Sequence, residues 1–291
     1  MIATRKCPIL SHEFDPLRLP DPLKRYDLAK TLLPIGDLAG FESHSEAEAE
    51  DRFRADALCN SKTAGGRELG SWLHAATDEG SLPLSSVSSV YTRTVRQRLL
   101  GDLARLLDER VEGEEPPFTF TLINSRWRIH HSRMMSLQVK KLKAALREYF
   151  RRVGIAKAKG FLFSGFHGEF DGEFFQLHVH GVAIGEKARL LPSLRGKFGF
   201  VTTRTIRRPV QVGPLQNLPR QISYLYQQYW PYRPRKRSGK ARIQIRARIK
   251  EPFYGRLLVW MANQHVFDFI LMNGLRLKAC NGATGLVVTN G

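Results

Sequence analysis

The sequence predicts an α+β protein in which a mainly helical N-terminal region precedes a domain built on antiparallel strands. Three observations lead there. Residues 161–170 and 173–184 are strand-like runs joined by Asp171-Gly172, a pair suited to a two-residue type I′ turn. The apolar residues Val95, Leu99, Leu103, Leu106 and Leu107 recur at helical spacing within residues 90–110. Between these segments, Glu112 to Pro117 breaks the pattern and the balance of charge changes.

Residues 1–85 are rich in proline, serine and charge, with a helix expected over 45–59 and a loop over 80–89. The boundary at the break gives an N-terminal accessory region, residues 1–115, and a basic domain, residues 116–291. Phe118-Thr119-Phe120-Thr121-Leu122-Ile123 opens the second part as a strand. A helix over 136–153 then places Leu137, Lys141, Ala144, Ala145, Tyr149 and Val153 along one side and presents Lys140, Lys143, Arg147, Arg151 and Arg152 outward. The apolar tract 257–275 is interrupted by Asn263, Gln264, His265, Asp268 and Asn273, so it reads as a buried helix and not a membrane span. Cys7, Cys59 and Cys280 have neither metal-ligand nor disulfide spacing, and the N-terminus carries no apolar core of signal-peptide length. The expected location is the prokaryotic cytoplasm.

Charge points to an anionic polymer as partner. The chain carries 46 Lys and Arg against 27 Asp and Glu, for a formal charge of +19. Residues 1–110 are net −2 and residues 111–291 net +21. Such concentration of positive potential fits binding to a phosphate backbone. Residues 233–250 alone hold nine Lys or Arg and no acid: Arg233, Arg235, Lys236, Arg237, Lys240, Arg242, Arg246, Arg248 and Lys250. The second part of this run alternates cationic with apolar residues, as a strand with one charged face would. Arg204, Arg207 and Arg208 extend the expected nucleic-acid surface.

The chemistry-bearing residues are His178 and His180, at alternate positions of the strand Leu177 to Ile184, and the cluster Tyr224-Leu225-Tyr226-Gln227-Gln228-Tyr229. Residues i and i+2 of a strand share a face, so both imidazoles can meet one cation. A tyrosine oxygen attacking a phosphodiester leaves a covalent phosphotyrosine, with a divalent cation polarising the phosphate. With a two-residue turn, Phe170 opposes Glu173 and Gly165 opposes His178. His167 and Glu169 then share the face of His178 and His180, with His167 diagonal to His178 and Glu169 farther away. Two imidazoles and a carboxylate suit Mn²⁺ or Mg²⁺.

These segments resemble the HUH endonucleases, the rolling-circle replication initiators, relaxases and single-strand transposases that carry a His-hydrophobic-His motif. Over residues 117–276, Phe118 to Leu122 resembles the first motif, a threonine-containing strand beneath the site; Leu177 to Ile184 the second; Ser223 to Tyr229 the third, a helix carrying the nucleophile. The resemblance implies a ferredoxin- or RRM-like antiparallel sheet of about five strands with flanking helices. It implies metal-dependent nicking and joining of single-stranded DNA through a 5′-phosphotyrosine. Tyr224 aligns as nucleophile, ahead of Tyr226, and Glu169 matches the acidic third ligand, ahead of His167. Where the motif carries lysine, three residues after the tyrosine, this chain has Gln227; Arg220, one helical turn before Tyr224, is the candidate to supply charge. Expected partners are single-stranded DNA or a DNA hairpin at a plasmid or phage origin, and host replication proteins, with no membrane. A DNA-binding relative without nuclease activity, and a transposase or relaxase, are the alternatives. A histidine-triad nucleotide hydrolase would carry a third alternating histidine where this chain has Val182.

Overall fold

The periodicity of the N-terminal region produces helices. In the computed structural model, residues 3–9, 41–111, 116–227, 229–234, 247–280 and 283–289 are described. Short strands β1 (Thr4–Lys6) and β2 (Leu82–Leu84) pair in parallel and flank α1 (His44–Cys59) and α2 (Ala64–Asp78), with α3 (Ser89–Val111) next in the chain. β2 lies inside the stretch expected to be loop. Ser43 and Glu46 close α1 with a reciprocal capping box. Leu58, Leu69, Leu73, Val95, Leu100 and Leu103 are fully buried, each worth about 1.5–3 kcal/mol of transfer free energy. Asp51 of α1 caps α3, accepting from Ser88 Oγ at 2.6 Å and from the Ser89 and Val90 backbone N–H groups. Burial raises its carboxyl to about 6, against the opposing Arg54 charge and these hydrogen bonds.

The second part contains β3 (Phe118–His130), α4 (Val139–Arg152), β4 (Leu162–Phe170), β5 (Phe174–Ala183), α5 (Glu186–Leu190), β6 (Val210–Pro214), α6 (Leu218–Ser223), α7 (Phe253–Ala262) and β7 (Ile270–Asn273). A last hairpin is formed by β8 (Leu275–Cys280) and β9 (Ala283–Val288). Five strands form one antiparallel sheet in the order β6-β3-β5-β4-β7. This is the expected α+β architecture of a five-stranded antiparallel sheet with flanking helices.

Three expectations are corrected, and a fourth falls mostly outside the described residues. The β4–β5 connection is longer than a two-residue turn: Phe170 pairs with Phe175 and not with Glu173, and Asp171 to Glu173 link the strands. A type I′ turn needs positive φ at both central residues, and of Asp171 and Gly172 only Gly172 has it. Asp171 Oδ1 instead accepts from the backbone N–H groups of Glu173 and Phe174, while Oδ2 pairs with Arg128 at 3.1 Å. The tract 257–275 is not one helix, because Asn263 caps α7 and Gln264 serves as a turn residue. The Gln264 carbonyl accepts from Ser86 Oγ and its Oε1 from the Val139 N–H, and a 3₁₀ turn and β7 come next. Helix α6 stops at Ser223, so Tyr224, Tyr226 and Tyr229 lie beyond it. The cationic strand expected before Lys250 falls mostly on 241–246, outside the described residues; Ala247 makes one bridge to Tyr232, and residues 248–250 are not in a strand.

The two parts share a continuous buried core. α1 packs against α2, α3 and α7, and α3 against α6 and β9. One sheet face carries Leu162, Phe166, Phe170, Phe175, Leu177 and Val179, all buried. Trp127 lies 5.7 Å from Phe166, and Phe253 of α7 lies 5.0 Å from Phe170. Among the described residues, no helix is long and apolar enough to cross a membrane.

Candidate active site

The opposite sheet face carries the histidines. Because Phe170 pairs with Phe175, His167 pairs directly with His178, Gly165 with His180 and Glu169 with Gln176. His167 therefore enters the cluster more closely than a two-residue turn would place it. Its ring centroid is 5.8 Å from that of His178 and 4.9 Å from that of His180, and the His178 and His180 rings are 4.7 Å apart. Burial pushes His178 down to about 4; a hydrogen bond with the Gln176 backbone opposes this and the Arg233 charge adds to it. Burial, then the charges of His180, His178 and Arg96, holds His167 well below the usual imidazole range.

Neutral imidazoles keep a lone pair at neutral pH, as a metal ligand must. Thr121, opposite His180 on β3, places its Oγ1 2.9 Å from His180 Nδ1. With the hydroxyl accepting, the proton sits on Nδ1 and Nε2 keeps its lone pair, the orienting arrangement common around ligating histidines. The donor chemistry of His178 and His180 thus fits a divalent cation. His167 is engaged otherwise: its Nε2 accepts the Tyr226 N–H at 3.1 Å. Glu169 is engaged too, with Oε2 2.7 Å from Arg233 Nη1. In this arrangement, and among the described residues, no three His, Cys, Asp or Glu side chains converge as a metal-holding group.

Tyr224 reaches the same face from the end of α6. Its ring centroid lies 5.9 Å from His167, nearly parallel, and 5.3 Å from His180, nearly perpendicular. Three features end the helix there and aim the segment beyond it. Arg96 of α3, 2% exposed, donates from Nη2 to the Ser223 carbonyl at 2.5 Å and from Nε to the Leu225 carbonyl at 3.4 Å. A cation at a helix C-terminus satisfies carbonyls that lack intrahelical partners. Arg96 is itself held by Glu42 and stacks over Phe41 at 4.5 Å. Tyr226 then adopts φ 57°, which no continuing right-handed helix permits. Gly165 makes room for this segment: a Cβ there would stand 2.7 Å from the Tyr226 nitrogen and 2.8 Å from its Cα.

The remaining candidates separate. Tyr226 is 1% exposed and packs near Phe269, 6.2 Å between rings, so it belongs to the core. Gln227 Nε2 makes a long 3.5 Å hydrogen bond back to the Ser223 carbonyl. Arg220, Arg204, Arg207, Arg208 and Lys250 are exposed. Arg233 is tied to Glu169, and Arg248 to Glu50 at 2.7 Å. Arg235, Lys236, Arg237, Lys240, Arg242 and Arg246 lie outside the described residues.

Arg96 is the residue that sequence reasoning passed over. Its signal was available: it precedes Leu99 and Leu103 by three and seven residues, so a charge stands on the apolar stripe of α3. Such a charge must find a buried partner. No family model, curated protein or solved structure matches the chain.

Proposed function

We propose that the protein nicks and joins single-stranded DNA through Tyr224, in the manner of an HUH replication initiator of a plasmid or phage. The observation that carries this reading is the placement of the Tyr224 ring against His167 and His180. These residues come from strands and a helix end far apart in sequence. The phenol oxygen attacks phosphorus, the O–P bond forms, and the bond from phosphorus to the 3′-oxygen breaks. The phenol loses its proton and the departing 3′-oxygen gains one. A 5′-phosphotyrosine and a free 3′-hydroxyl result, and attack by that or another 3′-hydroxyl reverses the step and joins strands.

His178 and His180, with Glu169 or His167 as third ligand, would hold Mn²⁺ or Mg²⁺. When bound, the cation supplies Lewis-acid polarisation of the phosphate. The chain's own residues keep the His167 and His178 imidazoles neutral, fix the Tyr224 segment through Arg96 and provide the cationic surface for the backbone. Exposed Arg204, Arg207, Arg208 and Lys250 suit that last role.

The test is detection of covalent protein–DNA adducts on denaturing gels, using pooled single-stranded oligonucleotides with Mn²⁺, Mg²⁺ or chelator. Metal-dependent adducts that vanish in Tyr224→Phe are the expected result; adducts that persist in that variant overturn the assignment. A second reading, a DNA-binding relative without nuclease activity, draws on the His167–Tyr226 hydrogen bond, the Glu169–Arg233 ion pair and Gln227 in place of lysine. It predicts no adducts, with salt-sensitive binding retained.

A further inference from the structure

Among the described residues, four large apolar side chains are exposed, and the two aromatic ones, Phe53 at 42% and Tyr229 at 37%, flank the same guanidinium. Arg248 lies 4.0 Å over the Phe53 ring and 5.9 Å from the Tyr229 ring centroid. Its position is fixed from behind by Glu50, which is 14% exposed and accepts from Arg248 Nη2 at 2.7 Å, Arg54 Nε at 3.0 Å and Tyr254 Oη at 3.1 Å. Although burial opposes ionisation, the guanidiniums of Arg54 and Arg248 hold Glu50 at about 2, so the clamp stays charged throughout the working pH range.

Planar groups held in fixed orientation at a surface are suited to stacking. Unpaired nucleobases stack on aromatic rings and on guanidinium planes, whereas duplex bases already cover each other's faces. Arg52, next to Phe53 in α1, and Lys250, two residues after Arg248, are exposed, and each can meet a phosphate of a strand stacked there. Tyr229 also lies five residues after Tyr224, on the same segment.

We propose that Phe53, Arg248 and Tyr229 form a stacking platform for unpaired nucleobases, with Arg52 and Lys250 taking the flanking phosphates. The platform joins α1 to the segment leading into α7, which gives the helical region a direct part in holding the strand. The inference rests on the reading of single-stranded DNA as partner, and it concerns binding, not cleavage.

Fluorescence anisotropy of the full chain with single-stranded and duplex oligonucleotides of one sequence, some carrying 2-aminopurine, provides the test. Phe53→Leu keeps bulk and removes the ring face; Phe53→Trp restores it; Tyr229→Leu is an independent variant should Phe53→Leu fold poorly. Either leucine variant should weaken single-strand binding by about 5- to 100-fold and relieve 2-aminopurine quenching. Duplex binding should change less than about twofold, and Phe53→Trp should bind like the unaltered chain. Unchanged single-strand affinity and quenching in both leucine variants would overturn the platform. If the unaltered chain binds no single strands, the platform and the nicking reading both fall. If Phe53→Leu weakens binding while no adduct forms on any oligonucleotide, the platform stands and nicking falls.

Discussion

The two faces of the β4–β5 hairpin come from the same residues in alternation, yet they are built for different ends. On one face Phe166, Phe170, Phe175, Leu177 and Val179 are buried against Trp127 and Phe253, and packing decides everything. On the other, Phe163 and Val182 give way to Gly165, His180, His167 and His178, then to Glu169 and Gln176. Here the chain buries the His167 ring and half-buries those of His178 and His180, holds a tyrosine backbone at positive φ and places an arginine under a helix end. The contrast is between a face held by apolar packing and one where polar rings and a left-handed backbone residue are held by specific hydrogen bonds.

Substitutions on the two faces should have different consequences. On the histidine face, Gly165→Ala drives a methyl group into the Tyr226 backbone. It should slow adduct formation by about 100-fold or more through displacement of Tyr224, read from the initial rate of adduct formation. On the apolar face, Phe166→Ala should remove about 3–5 kcal/mol of stability, measured by urea unfolding, while any adduct formed by the surviving folded fraction stays metal-dependent.

Acid distinguishes the histidine face from the helical region next. The folded His178 imidazole sits near 4, below its ordinary value of about 6.5. Its contribution to stability is fully present above about 6.5 and lost as pH falls toward 4, by up to about 3 kcal/mol. Asp51 works in the opposite direction: its carboxyl is raised to about 6, so its contribution is present below about 3.9 and lost as pH rises through 6. The rise of melting temperature between about pH 4 and 7 should therefore flatten in His178→Gln and steepen in Asp51→Asn. The smallest effect is expected from Glu169→Gln. The Glu169–Arg233 pair is partly exposed, at 31% and 40%, so its loss should cost less than about 1 kcal/mol. The Mn²⁺ concentration needed for adduct formation should nevertheless rise, and more than in His167→Gln.

Much of this was legible in the chain. The helical stripe of α3, the paired strands around Asp171-Gly172 and the shared face of His178 and His180 all come from periods of 3.6 and 2, which local sterics impose. The loop length was not, because Asp171 uses its carboxylate to bond the backbone and only Gly172 takes positive φ. That two-residue difference moved His167 from diagonal to opposite. The end of α6 was equally hidden: what stops it is Arg96, 127 residues earlier in the chain. Arg233 and Arg248 looked like free cations in a basic run, and their partners Glu169 and Glu50 are set by tertiary structure alone.

The decisive experiment is identification of the DNA-modified residue. Protein incubated with single-stranded oligonucleotides and Mn²⁺ would be digested with nuclease and trypsin, and nucleotide-bearing peptides sequenced by mass spectrometry. A single phosphodiester-linked nucleotide on Tyr224 is the predicted result. Modification at Tyr226 or Tyr229, or no modified peptide from a preparation that binds the same oligonucleotides tightly, would contradict the assignment of Tyr224 as nucleophile.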